Sequence, residues 1–236
     1  MIDRNITRRK ILAALGGSGI AATAGLALSS GSAVGFTETT RLQAESIDGL
    51  YLDWRETYNG SVLTNTTDGV ASPSPTGPVI SLGNVLPGDW GSLSVRVRGQ
   101  SDDEQEFDAE IRLVFDLVNE AALSEPGLQQ FVEASVWYDT GLFEVDSFGA
   151  RNGDRDFGEV LVHPEAEGTL AEVDDALGDG ITLDATPNSP GETICWGGDD
   201  AVTVTFGWQF PTGQANVNAV QGDKVEFDFS LDATQC

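Results

Sequence analysis

The stretch Phe107-Asp108-Ala109-Glu110-Ile111-Arg112-Leu113-Val114-Phe115-Asp116-Leu117 decides the class of this fold. Phe107, Ala109, Ile111, Leu113, Phe115 and Leu117 alternate with Asp108, Glu110, Arg112 and Asp116. Successive side chains of a strand point to opposite faces, so this period places one face in a core and the other in water. The same rule runs through Leu50, Leu52 and Trp54, through Leu93, Val95 and Val97, through Val202, Val204, Phe206 and Trp208, and through Val225, Phe227, Phe229 and Leu231. Turns rich in Gly, Pro and Asp separate these runs, and together they predict an all-β antiparallel sandwich.

Two short helical insertions interrupt the pattern. Glu120 to Glu133 contains Pro126, which predicts a broken or short helix. Gly168 to Leu177 spaces Leu170, Val173 and Leu177 three and four apart, one face of a helix. Thr64 to Pro78 is rich in Thr, Ser, Pro and Gly and reads as a loop. No internal repeat is visible, and no linker divides residues 48–236, which read as one domain.

The chain opens differently. Arg8-Arg9-Lys10 stands directly before a soft apolar run, Ile11 to Leu28, which gives way to small residues from Ser29 to Gly35. A basic start, an apolar centre and a small-residue exit describe an export signal, with paired arginines of the twin-arginine kind. Residues 1–35 are therefore expected to be removed before Phe36. Glycines and hydroxyls in the apolar run make it a poor permanent membrane span. Secretion to the extracellular side or the cell surface follows as the expected localisation.

Removing residues 1–35 takes away one acid and four bases, leaving 37 acids, 8 bases and a formal charge of −29. With 40% hydrophobic residues and five tryptophans the chain is not disordered, so the acid is carried on a folded surface. Such charge repels itself in dilute buffer, and concentrated salt screens it, the Debye length falling to about 3 Å at 1 M. Lysine is confined to Lys10 and Lys224. Acid-rich and lysine-poor together read as halophilic; a calcium-loaded surface protein is the rival reading. Nucleic acid is excluded as a partner class, because no basic patch is available to neutralise phosphates.

Cys195 and Cys236 are the only cysteines. In an exported chain the simplest reading is a disulfide, which pins the end of the chain. A metal pair and thiols linking different chains are the alternatives, although one histidine, His163, makes a four-ligand zinc site hard to assemble.

Several segments resemble a known family in order. They are Gly35-Phe36-Thr37-Glu38-Thr39, Ser46-Ile47-Asp48-Gly49-Leu50-Tyr51-Leu52-Asp53, Leu86-Pro87-Gly88-Asp89-Trp90-Gly91-Ser92-Leu93, Ser135-Val136-Trp137-Tyr138-Asp139, and Val220 to Phe229 with the closing Gln235-Cys236. This succession is similar to the TasA/camelysin-type extracellular matrix proteins with SipW-dependent signals, and to haloarchaeal members in particular. The exit Gly35-Phe36 departs from the alanine-rich exit usual there, which leaves the processing peptidase open. The resemblance implies a jelly-roll-like β-sandwich and self-association into surface or biofilm-matrix filaments, each subunit donating its N-terminal strand to a neighbour. In residues 36–47 one face carries Phe36, Leu42 and Ala44, and the other carries Thr37, Thr39, Arg41, Gln43 and Glu45. Such a strand can add to an open sheet edge through main-chain hydrogen bonds. The residues alone equally allow a first strand folded back on its own sandwich; the resemblance is what favours donation.

No enzyme is expected. One histidine cannot supply H-E-x-x-H, and no G-x-S-x-G turn is present to hold a nucleophilic serine. His163 follows Val160-Leu161-Val162 and precedes Pro164, so it reads as the end of a strand. No cofactor is implied beyond calcium, for which Asn152, Asp154, Asp156 and Glu159 offer oxygens at near-alternate positions; a solvated acidic turn is the plainer account. Asn59-Gly60-Ser61 and Asn65-Thr66-Thr67 are glycosylation sequons. The second functional reading is a monomeric acidic adhesion or binding module at the cell surface, working through its acidic loops.

Overall fold

A computed structural model describes residues 38–41, 50–63, 79–83, 85–99, 108–118, 126–140, 152–187, 194–198, 200–220 and 223–236. Antiparallel sheets pack face to face in a β-sandwich, the architecture that period-2 alternation predicts.

The larger sheet contains β1 (Glu38–Arg41), β2 (Leu50–Tyr58), β3 (Ser61–Leu63), β5 (Trp90–Gly99), β7 (Glu133–Tyr138), β8 (Glu167–Thr169) and β11 (Ala201–Gln209). Its order is β1-β2-β5-β11-β7-β8, with β3 also on β2. The smaller sheet is built from β4 (Val79–Gly83), β6 (Ala109–Val118), β9 (Ile181–Thr182), β10 (Cys195–Trp196) and β12 (Lys224–Gln235), in the order β10-β6-β12-β4 with β9 on β6.

The odd-numbered residues of β6 from Ala109 to Leu117 all face the core and are nearly or wholly buried. Phe107 lies outside the described residues. Phe115 meets Phe206 of β11 and Phe227 of β12 at ring-centroid distances of 5.2 and 4.9 Å, and Phe206 lies 4.6 Å from Phe227. These three rings join the sheets, each contributing about 2–3 kcal/mol by burial.

Helix α1 (Leu170–Leu177) forms where the spacing predicts it. Thr169 caps it: Glu172 N donates to Thr169 Oγ1 at 3.3 Å, and Thr169 N donates to Glu172 Oε2 at 2.7 Å. Those bonds from Thr169 to an exposed carboxylate also hold Glu172 below its ordinary carboxylate pKa. Leu170, Val173 and Leu177 enter the core, and the buried Asp174 turns its Oδ1 to Leu117 N at 2.7 Å. A side chain thus satisfies an N–H of β6 beyond the short partners β9 and β10. Within the Glu120–Glu133 run the described helical residues are a single 3₁₀ turn, Leu128–Gln130, and Glu133 already belongs to β7.

Cys195 and Cys236 form one disulfide within the chain, Cα atoms 6.2 Å apart and 41 residues apart in sequence. Cys195 stands opposite Glu110 in β10, while Cys236 N donates to Asp108 O just past β12. The bridge therefore links the strands flanking β6 on either side. Closing a loop of this length contributes about 4 kcal/mol in the chain-entropy model.

Candidate functional site

Two regions of the larger sheet hold the candidates: its β1 edge and its outer face. On the edge, β1 and β3 share the side of β2 that β5 leaves free. β1 pairs Glu38 to Trp54 and Arg41 to Tyr51, and β3 pairs Ser61 to Tyr58 and Leu63 to Glu56. Residues 38–41 thus fold back on their own sheet, the second of the two arrangements that the sequence allowed. Phe36, Leu42 and Ala44 lie outside the described residues, as does Asn65.

Asn59 and Gly60 form the tight β2–β3 turn, with φ of 46° and 75°. Asn-Gly suits two positive φ values, and it is the strongest short hairpin signal. The Asn59 amide is engaged on both sides, its Nδ2 donating to Asp89 Oδ1 at 2.9 Å and its Oδ1 accepting from Trp90 N at 3.0 Å. A glycan would need that same Nδ2. Asp89 also accepts from Tyr58 Oη at 2.5 Å and Leu86 N at 2.8 Å. Burial is the largest influence on Asp89 and raises its pKa, but these three donors together outweigh it and hold the carboxyl below its ordinary value. The Leu86–Leu93 segment is thereby locked to the hairpin.

The outer face of the larger sheet is covered rather than wet. Arg55, Thr57, Ser92, Ser94, Thr203 and Thr205 point away from the core yet are buried. The cover is the turn Asn152–Glu159. Gly153 N donates to Asp139 Oδ2 at 3.0 Å, and Arg55 Nη1 donates to Asn152 O at 2.6 Å. Gly153 has φ of 81°, and an added Cβ would come within 2.6 Å of Ser92 Oγ, so only glycine allows this approach. Beneath it, Thr205 Oγ1 lies 2.8 Å from Ser94 Oγ and 3.0 Å from Asp139 Oδ2. Burial lowers the Arg55 pKa from its ordinary value, and the charges of Asp139 and Asp154 act against that loss.

Inside the turn, Asn152 Oδ1 accepts from Asp154 N, Asn152 Nδ2 donates to Asp156 Oδ2, and Asp156 N donates to Glu159 Oε2, at 2.7, 3.0 and 2.8 Å. The four residues singled out as calcium candidates therefore hold the turn's own shape. Among the described residues, the only three His, Cys, Asp or Glu side chains whose ligand atoms all approach within 4.8 Å are Asp108, Cys195 and Cys236, and both cysteines are in the disulfide. His163 Nδ1 accepts from Glu165 N at 3.2 Å, which ties its ring to its own turn.

Beside the turn runs a groove of about 550 Å³. Its floor is Trp137 and Ser135 of β7 and Gly207 of β11; Trp90 stands at one end, and β8 with the start of α1 forms the far wall. Trp137 lies over Gly207, where an added Cβ would come within 2.6 Å of the indole ring. Arg155 on the rim pairs with Glu167 at 3.0 Å. Sequence reading did not find this groove, since its lining comes from five separate segments. Its only local signal is glycine and hydroxyl residues at outward strand positions.

The chain matches no known protein-family model, and no curated protein matches it significantly. The geometry thus places it in one class, the antiparallel β-sandwich proteins stapled by a disulfide, and the functional reading rests on the molecule itself.

Proposed function

We propose that this chain is a non-enzymatic, exported structural subunit that joins its neighbours outside the cell by exchanging strand β1. The observation that carries the reading is the position of β1: a four-residue strand at the very edge of the larger sheet, paired with β2 and sharing that edge with β3. The vacated main chain of Tyr51–Trp54 would then accept the same strand from a second copy in the same register.

In that register Glu38 and Thr40 stand opposite Trp54 and Leu52. Phe36, Leu42 and Ala44 share their parity in the sequence, and Phe36 and Leu42 would serve as the anchors of a donated strand. The resemblance to TasA/camelysin-type matrix proteins supports the same mechanism. The disulfide and the export signal expected from residues 1–35 support an oxidising, extracellular setting, and the acidic composition supports a salty one.

The test is electron microscopy of residues 36–236 in multimolar salt, beside a chain beginning at residue 48 and the double variant Phe36→Asp/Leu42→Asp. Filaments are expected from the first and only folded monomers from the other two. Filaments from the double variant would end the strand-exchange reading. Monomers from all three would leave the second reading, a monomeric surface-binding module, for which the groove on the larger sheet is the supporting observation.

A further inference from the structure

We infer that the groove beside the Asn152–Glu159 turn is a binding site for a neutral, polyhydroxylated chain: a short oligosaccharide. Acid alone cannot define this site, because the whole molecule carries a formal charge of −26. What sets the groove apart from that background is its other chemistry. Trp90, 38% exposed, offers an indole at one end, and Gly207 makes room on the floor for the nearly buried ring of Trp137. Ser135 and Gln209 add a hydroxyl and an amide. Aromatic surface beside a few neutral donors and acceptors suits the apolar faces and hydroxyl edges of sugars.

The charged groups narrow the ligand further. Arg155 is paired with Glu167, and Glu172 is engaged with Thr169. Glu133 and Asp154 add negative charge to the lining, which repels an anionic ligand while offering acceptors to sugar hydroxyls. The indole N–H of Trp137 is buried and has no acceptor among the described residues. That donor has almost no exposed surface, so recognition in the groove rests on the exposed Trp90 and Gln209. The volume falls within the ~300–1,000 Å³ common for small-ligand sites.

The groove also comes ready-made. One wall is the turn clasped by Arg55 and Asp139, and the opposite wall is the capped start of α1. Little ordering is left to occur on binding. The site does not involve β1, so it stands or falls separately from strand exchange.

Isothermal titration of the exported chain at fixed salt would use short oligomers of glucose, mannose and N-acetylglucosamine, with oligolysine and oligogalacturonate as cationic and anionic controls. We expect saturable binding of at least one neutral oligomer, one site per chain. Trp90→Ala and Gln209→Ala should each weaken it, the first by about tenfold or more. Both side chains are at the surface, so thermal unfolding of the variants should match the parent, and electron micrographs of the same samples should be unchanged. No binding by any neutral oligomer would overturn the inference. So would affinity indifferent to Trp90→Ala, or binding confined to oligolysine, which would make the groove a dock for cationic chains instead.

Discussion

On the outer face of the larger sheet stand Thr57, Ser92, Ser94, Thr205 and Gly207; on the outer face of the smaller sheet stand Glu110, Arg112, Asp116, Glu226, Asp228 and Asp232. Both sets alternate with core residues at the same period of two. The first set is small, mostly hydroxylated and roofed by a turn, and Arg55, the charged residue on that covered face, donates to the turn's Asn152 O. The second is charged and partly or fully in water. Alternation alone separates inside from outside, while the kind of polar residue separates a covered outside from a wet one. A hydroxyl can be buried at modest cost once it is hydrogen-bonded, whereas a carboxylate needs water or an ion partner.

Exchanging residue types between these faces should break the comparison most sharply. Ser94 is 1% exposed, with its hydroxyl beside Thr205 and the turn's anchor Asp139 nearby. Ser94→Asp puts a second carboxylate into that dry network and should cost about 3–5 kcal/mol. Ser230→Asp on the smaller sheet meets solvent and should change stability by about 1 kcal/mol or less. Urea unfolding of both variants at the same salt concentration decides the matter. Equal losses would mean that the covered face is far wetter than its burial indicates.

A smaller effect probes how the cover and the groove meet. Gly207→Ala drives a methyl group against the Trp137 ring and should cost about 1–3 kcal/mol through overpacking. Near-ultraviolet circular dichroism should report the displaced indole. An unchanged spectrum with unchanged stability would show that Trp137 gives way freely, and that glycine is not what shapes the groove floor.

The same contrast explains what the sequence revealed. Strands β5, β6, β11 and β12 and helix α1 were legible because each carries its period within one short segment. The pairing of Cys195 with Cys236 was legible as the simplest of three options. Asn59-Gly60-Ser61 reads as a sequon, and the structure adds that its Asn-Gly forms a hairpin turn with the amide hydrogen-bonded to Asp89. The oxygens of Asn152–Glu159 read as an acidic turn with calcium as the rival, and what the sequence does not show is that this turn roofs the sheet. In both places a local motif was legible while its long-range partner, Asp89 or Asp139, was not. The groove was invisible for the same reason: no local pattern records which segments a sheet brings side by side.

The gentlest test lies on the wet face, at Asp228. It stands directly opposite Asp116, with Glu226 two residues away on the same side, and its Oδ1 has no hydrogen-bond partner among the described residues. Burial first, then the charges of Asp116 and Glu226, raise its pKa above the ordinary 3.8. For an acid raised in the folded state, the native form binds more protons than the unfolded form just above pH 3.8. Stability therefore falls as pH rises through the folded value, and the penalty is fully present at neutral pH. Asp228→Asn should remove it, stabilising the protein at pH 7 by less than about 1 kcal/mol, since the site is largely solvent-screened. The gain should vanish at pH values below the unfolded pKa. Salt separates the two causes: concentrated salt screens Asp116 and Glu226 but leaves the burial contribution, so the gain should shrink without disappearing. A gain that ignores salt would assign the whole shift to burial. One that vanishes in salt would make the wet face an electrostatic spring, relaxed only where ions are plentiful.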